Sequence, residues 1–259
     1  YMSATGGFSK FLQSSIGKKI LMALTGLFLC SFLVIHLVGN FQLFKDDGGM
    51  AFNQYTVFMT TNPLIKTISY LLYFSILFHA FWGLYLVYLN KKARPIDYHV
   101  KGANANSSVF SRNMGILGTI ILIFIVSHMK DFWYKYKFGE LPYIEYTKNI
   151  NTGEITTRSV GPINEKMLSY KEGDNEIVVV KDLYKIVSME FKEVSHLVLY
   201  VLAMFALSFH LIHGFKSGFQ SLGINHSRYN GIISAIGIYG FGFIIPLSFA
   251  AMPIYFFFK

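Results

Sequence analysis

Four histidines stand in runs where nearly every neighbour is apolar: His36 in LVIHLVGN, His79 in ILFHAFWG, His128 in FIVSHMKD and His210 in LSFHLIHG. An imidazole in such a place can ligate a metal through its lone pair, carry a proton, or hydrogen-bond to a neighbouring helix. Ionisable groups are costly in an apolar phase, so each one marks a functional site by default. The single cysteine, Cys30, also lies in an apolar stretch and reads as lipid-facing or packing. One thiol makes neither a disulfide framework nor a cysteine cluster for zinc or iron–sulfur ligation.

The elements that position these histidines follow from hydropathy. The chain has 259 residues, 53% hydrophobic and 14% charged, with a mean hydropathy of +0.42, which excludes an ordinary soluble domain. Five segments, about 20–44, 64–90, 112–134, 191–216 and 230–257, each reach the roughly 20 residues of helix that a hydrocarbon core requires. The expected fold is an all-α membrane protein of five transmembrane helices in a single domain. Residues 20–35 behind Lys18 and Lys19 resemble a signal-peptide core, but no small-residue cleavage site follows and the apolar run continues to Phe44, so a retained span is expected. A polar insert at 137–188 carries most of the acidic residues. Its turn signal Asn151-Thr152-Gly153 and the β-prone pieces 155–157 and 177–180 suggest a small hairpin-like cap.

The net charge of +9 does not form a basic patch with interleaved aromatics, which argues against nucleic acid as a partner. It sorts by loop instead. The N-terminus (Lys10, Lys18, Lys19), the second connection (Lys91, Lys92, Arg94, Lys101, Arg112) and the fourth (Lys216, Arg228) hold ten basic residues against Asp97. The first connection sets Lys45 against Asp46 and Asp47, and residues 135–193 hold nine basic against ten acidic. By the excess of Lys and Arg on the cytoplasmic side, the N-terminus is expected inside, the C-terminus outside and the insert extracytoplasmic.

Each of the four histidines lies in the later half of its span, and successive spans run in opposite directions. The later half is therefore outward for spans one and three and inward for spans two and four. His36 pairs in depth with His128, and His79 with His210. At 1.5 Å per residue, His36 is about 24 Å from the start of its span and His210 about 9 Å from the inner end of its own, so the pairs are separated by roughly 15 Å.

Two imidazoles at one depth suit iron in a porphyrin, whereas zinc wants three or four converging ligands. No C-x-x-C-H attachment motif occurs, which points to two stacked b haems held by the first four helices. Gly83 follows His79, and Gly214 follows His210, by one helical turn, leaving room for a flat macrocycle. His213 shares nearly the same face as His210 and competes with it as the ligand. His196 lies near the outer surface, and His99 and His226 read as solvated loop residues.

At these residues the sequence resembles the di-haem cytochrome b membrane-anchor subunit of succinate dehydrogenase and fumarate reductase, the single five-helix anchor of respiratory complex II. FLVIHLVGN, FHAFWGLYL, LIFIVSH and SFHLIHGFKSGFQSLGI carry the similarity, in order and on successive spans. The resemblance implies that His79 and His210 ligate the proximal haem and His36 and His128 the distal one. It assigns the iron to His210 and leaves His213 as a neighbour, with a hydrogen bond to a propionate or to backbone. It further implies location in the cytoplasmic (inner) membrane, a flavoprotein and an iron–sulfur subunit as partners, and electron transfer to or from menaquinone or ubiquinone. Some fumarate reductases carry a glutamate two residues before the fourth ligand; this chain has Ser208 there, which argues against a proton path of that kind. The insert exceeds what the family requires.

A quinone needs hydrogen-bond donors beside an apolar channel, and Asn40, Gln42, Asn53 and His196 are candidates on the outer side. On the inner side Lys19, Arg112 and Lys216 could pair with haem propionates, although topology alone accounts for them. Two other readings compete: a di-haem subunit of a quinone-linked hydrogenase or formate dehydrogenase, and a transporter using histidines as proton or metal relays.

Overall fold

A computed structural model describes residues 4–93 and 109–259; Arg94, Asp97, His99 and Lys101 lie outside them. Among the described residues five helices are long and apolar enough to cross a membrane: α2 (Ser15–Phe44), α4 (Pro63–Lys92), α5 (Met114–Phe138), α7 (Val194–Ser221) and α8 (Ser227–Phe258). The shortest has 25 residues, about 37 Å at the helical rise, more than the roughly 30 Å of hydrocarbon. Large apolar side chains such as Phe74, Phe81, Ile116, Ile123, Phe205, Ile244 and Leu247 are exposed along them. Such surface is stable against lipid and would aggregate in water. The chain is a multi-pass membrane protein by these criteria. Two shorter helices, α1 (Ala4–Gln13) and α3 (Met50–Thr61), were not expected as separate elements, and a single turn, Val109–Arg112, precedes α5.

The insert is more than a hairpin. Strands β1 (Tyr143–Asn149), β2 (Ile155–Val160), β3 (Met167–Glu172) and β4 (Asn175–Lys181) form one antiparallel sheet in the order β2-β1-β4-β3, followed by α6 (Leu183–Glu190). The two β-prone pieces never pair with each other: Ile155 and its neighbours pair with β1, and β4 lies between β1 and β3. Asn149 makes the β1–β2 turn, its Oδ1 accepting from the amides of Asn151 and Thr152, while Gly153 takes a φ of 74° that side chains avoid.

The chain divides into two compact units. One contains residues within 1–34, 71–123 and 202–249; the other contains 35–70, 124–201 and 250–259. Every long helix contributes a part to each. In the first unit Cys30, Leu211 and Phe215 form a buried cluster, with Leu27, Leu33, Leu207, Phe219, Ile233 and Phe241 packed on it. Cys30 is a packing residue there. In the second, the sheet packs Tyr146, Val178 and Val180 on Met50 and Val57 of α3.

A buried polar lock joins α3 to the sheet. The Asn53 amide donates to Tyr146 Oη (2.9 Å) and Asp182 Oδ1 (3.0 Å), and its carbonyl accepts from the Tyr184 amide (3.0 Å). Gly49, at φ 90°, lies so close to Tyr184 that a Cβ would fall 2.2 Å from its ring.

Two helices contain wide, π-type turns: Met129–Tyr134 in α5, directly after His128, and Ile236–Ile244 in α8. Such turns recur at functional sites because they redirect the side chains that follow. Beyond the second of these lies Pro246, which has no N–H to offer the Gly242 carbonyl one α-turn back. The Ser208 hydroxyl of α7 donates to that carbonyl instead. Position 208 thus gives the Gly242 carbonyl a side-chain donor from a second helix.

Candidate functional site

The first unit brings His79 of α4 together with His210 of α7, ring centroids 6.2 Å apart and planes at 71°. Thr25 of α2 stands behind His79. Its hydroxyl donates to the Leu21 carbonyl (2.9 Å) and lies 3.1 Å from His79 Nδ1. A Thr25 hydroxyl that donates to Leu21 can accept from Nδ1–H, the arrangement that would leave His79 Nε2 a bare lone pair. His210 Nδ1 is buried and has no hydrogen-bond partner among the described residues.

Glycines surround this pair. A Cβ on Gly26 would sit 3.1 Å from His79 Cε1, and one on Gly118 would sit 3.8 Å from His210 Cε1. A Cβ on Gly83 or Gly214 would meet only the terminal methyl of Met22 or Met114, at 3.6 and 3.9 Å respectively. Thioether chains are the most adaptable apolar fillers, so this lining yields to a flat ring. His213 is half-buried one turn from His210, and Lys19, Arg112 and Lys216 are exposed residues of the same unit.

The second unit brings His36 of α2 to His128 of α5, centroids 5.9 Å apart and planes at 89°. His128 Nδ1 lies 3.1 Å from the hydroxyl of the buried Tyr200 on α7. Phe124 and Phe132 flank the His128 ring at 5.7 and 5.4 Å. The Asn40 amide donates to the His36 carbonyl (2.8 Å) and lies 3.3 Å from its Nδ1.

The quinone candidates fall in different settings. Asn40 is engaged by His36, and Gln42 is half-buried in the last turn of α2. Asn53 is buried within the cap with its amide and carbonyl committed to the lock. His196 of α7 is held by two carboxylates: its Nε2 is 3.3 Å from Asp131 Oδ2 and 3.2 Å from Glu190 Oε2. Sequence reasoning missed Asp131, Glu190, Tyr200 and Thr25. Asp131 carried a signal, an acidic residue inside a span; the others needed the fold.

No family model, curated protein or solved structure matches this chain. The chemistry of the site therefore rests on its own geometry. Among the described residues no group of three or more His, Cys, Asp or Glu side chains is placed to hold a metal ion; the span histidines meet in twos. Two imidazoles on opposite sides of one metal, with metal–nitrogen bonds of about 2 Å, put their ring centroids roughly 6 Å apart. Both pairs have that spacing. With His79 Nδ1 held by Thr25, His210 Nδ1 unpartnered among the described residues and glycines beside the rings, the residues fit bis-histidine haem.

Proposed function

We propose that this chain is a membrane-embedded di-haem cytochrome b, the anchor subunit of a succinate:quinone oxidoreductase. The observation that carries the reading is that four span histidines meet as two pairs at the centroid separation of axial ligands. In this reading His79 and His210 hold the haem proximal to the iron–sulfur subunit, and His36 and His128 hold the distal one. Haem b, when bound, supplies one-electron chemistry. The chain's own residues set its surroundings. Thr25 orients His79 and raises its basicity, Tyr200 does the same for His128, and Gly26, Gly83, Gly118 and Gly214 keep side chains away from the ring edge. His213, Lys19, Arg112 and Lys216 are assigned to the proximal haem's periphery.

A flavoprotein subunit would oxidise succinate or reduce fumarate, an iron–sulfur subunit would connect it to the proximal haem, and menaquinone or ubiquinone would exchange electrons at the distal one. The complex would sit in the cytoplasmic membrane with the N-terminus inside. The test is haem quantitation and the reduced optical spectrum of the purified chain and of His36, His79, His128, His210 and His213 alanine variants. Two b haems are expected in the parent, about one in each of the first four variants, and two in His213→Ala. Retention of both haems in His210→Ala would refute the ligand assignment, and absence of a b-type spectrum would favour a histidine relay for protons or metal ions. Co-purification of a metallohydrogenase or formate dehydrogenase in place of a succinate-oxidising flavoprotein would move the chain to another quinone-linked complex.

A further inference from the structure

We propose that Lys66, Lys137 and Lys166, gathered at the foot of the cap, form a binding site for the headgroup of an anionic phospholipid.

Three separate elements bring these lysines together. Lys137 lies in the last turn of α5 and Lys66 in the first turn of α4, where Asn62 Oδ1 accepts from the amides of Leu64 and Ile65 at 3.0 and 3.3 Å. Tyr136 ties the two helix ends, its hydroxyl 3.5 Å from Thr60 Oγ1 just ahead of Asn62. The sheet supplies the third lysine. In the β3–β4 register Met167 stands opposite Val180, so Lys166, one residue earlier, falls beside Lys181. The Lys181 ammonium reaches the Tyr136 carbonyl at 3.5 Å and stands 5.8 Å from that ring's centroid, which pins this end of the sheet to α5. Lys66 and Lys166 both repel the Lys137 ammonium.

No acid of the chain offsets that repulsion by pairing. Among the described residues Lys66, Lys137 and Lys166 are exposed and make no ion pair, whereas their neighbour Lys135 pairs with Glu190. The far end of the same sheet is built differently: Lys148 of β1 and Lys171 of β3 both stand opposite Glu176 of β4, the placement that favours opposite charges. Membrane topology does not account for the cluster either, because residues 135–193 hold nine basic residues against ten acidic. Like charges gathered without a counter-charge repel one another until an anion sits among them.

The surroundings decide which anion. Trp133, Tyr134 and Phe138 occupy the end of α5, with the Phe138 ring 5.7 and 5.3 Å from the other two. Aromatic residues at the end of an apolar span mark the headgroup level of a bilayer, and lysine side chains extend to the same level. Phe138 is 67% exposed, and Leu64 beside Lys66's turn is 68% exposed. A phospholipid meets both demands, with phosphate for the ammonium groups and acyl chains for Phe138 and Leu64. A free anion would meet only the first.

The experiment uses the full-length chain carrying Trp82→Phe, which leaves Trp133 as its one tryptophan. It is reconstituted in mixed phosphatidylcholine and phosphatidylglycerol bilayers, and Trp133 fluorescence is quenched by brominated acyl chains placed on one lipid or the other. A lysine beside an anionic surface is worth about fivefold in an equilibrium, and screening makes three of them worth less than the product, so a preference for phosphatidylglycerol of about tenfold is expected at Trp133. Combining Lys66→Gln, Lys137→Gln and Lys166→Gln should bring it below about twofold, and Lys166→Gln alone, which leaves both helices untouched, should lower it part of the way. Lys148→Gln with Lys171→Gln should leave it at the parent value. Inorganic phosphate added at constant ionic strength should not compete. Equal quenching by the two lipids in the parent, a preference that survives the triple replacement, an equal loss in the Lys148 and Lys171 variant, or displacement by inorganic phosphate would each overturn the proposal.

Discussion

Replacing Asn53 by alanine tests whether this residue is a structural lock or a quinone donor. Three interactions disappear: donation to Tyr146 Oη, donation to Asp182 Oδ1 and acceptance from the Tyr184 amide. A buried hydrogen bond between neutral groups contributes about 1 kcal/mol, one to a charged group about 1.5–3, and an orphaned buried donor costs about 1–3. The partners are not all abandoned, since Tyr146 still donates to the Gly48 carbonyl at 3.2 Å and Asp182 Oδ1 still accepts from the Lys185 amide at 3.0 Å. The Tyr184 amide has no such recourse through Asn53's site, so the loss should come to about 3 kcal/mol, or roughly a hundredfold in an opening equilibrium. Native-state hydrogen exchange reads this directly: amides of β1, β4 and α6 should exchange about a hundredfold faster, with haem content and quinone affinity unchanged. Less than a threefold acceleration, or weakened quinone binding with normal cap protection, would refute the structural role.

Thr25→Val removes the acceptor for His79 Nδ1–H and should weaken retention of the haem assigned to His79 and His210 by about 10–100-fold, measured by competition with apomyoglobin. Retention equal to the parent would refute that acceptor role. A Cβ on Gly39 would lie 2.4 Å from the Tyr55 ring, so Gly39→Ala should cost about 1–3 kcal/mol in thermal unfolding and Tyr55→Leu should restore most of it. Burial, reinforced by the nearby Asp182, pushes the Tyr146 phenol above its ordinary range. Its contribution to cap stability should be complete below about pH 10, the unfolded value, and should decline as pH rises beyond it, because the unfolded phenol ionises first. Unfolding of the cap at several alkaline pH values checks this, with Tyr146→Phe expected to lose that dependence.

The depth pairing of the histidines is legible because it needs only their order along spans that alternate in direction, and the structure brings together the same twos. The five spans are legible for the same reason: a long apolar run has few alternatives in a membrane. The cap is less so. YIEYTKN and MLSYKE alternate weakly and carry charges on both faces, and only pairing to the hydrophobic Ile177–Val180 run makes them strands. Asn53 reads as a candidate quinone donor until Tyr146, Asp182 and Tyr184, about 90 to 130 positions away, close over it. His196 likewise acquires its chemistry only when the wide turn after His128 presents Asp131 and the end of α6 presents Glu190. Residues whose role depends on distant partners leave no periodic trace in the sequence.

The hydrogen bond from Ser208 to Gly242 makes two distant positions interdependent. A carboxylate at 208 carries no proton to give when ionised and would face the lone pairs of the Gly242 carbonyl. A chain with an acid at this position would thus lose the donor that Ser208 gives this carbonyl, and an ordinary residue in place of Pro246 would offer an N–H instead. Conversely, Pro246→Ala would free position 208 to vary. The two sites should behave as a compensating pair in mutational libraries, with Ser208→Ala tolerated far better once the proline is gone. What looks like a choice about proton chemistry in one helix is thereby constrained by the backbone of another.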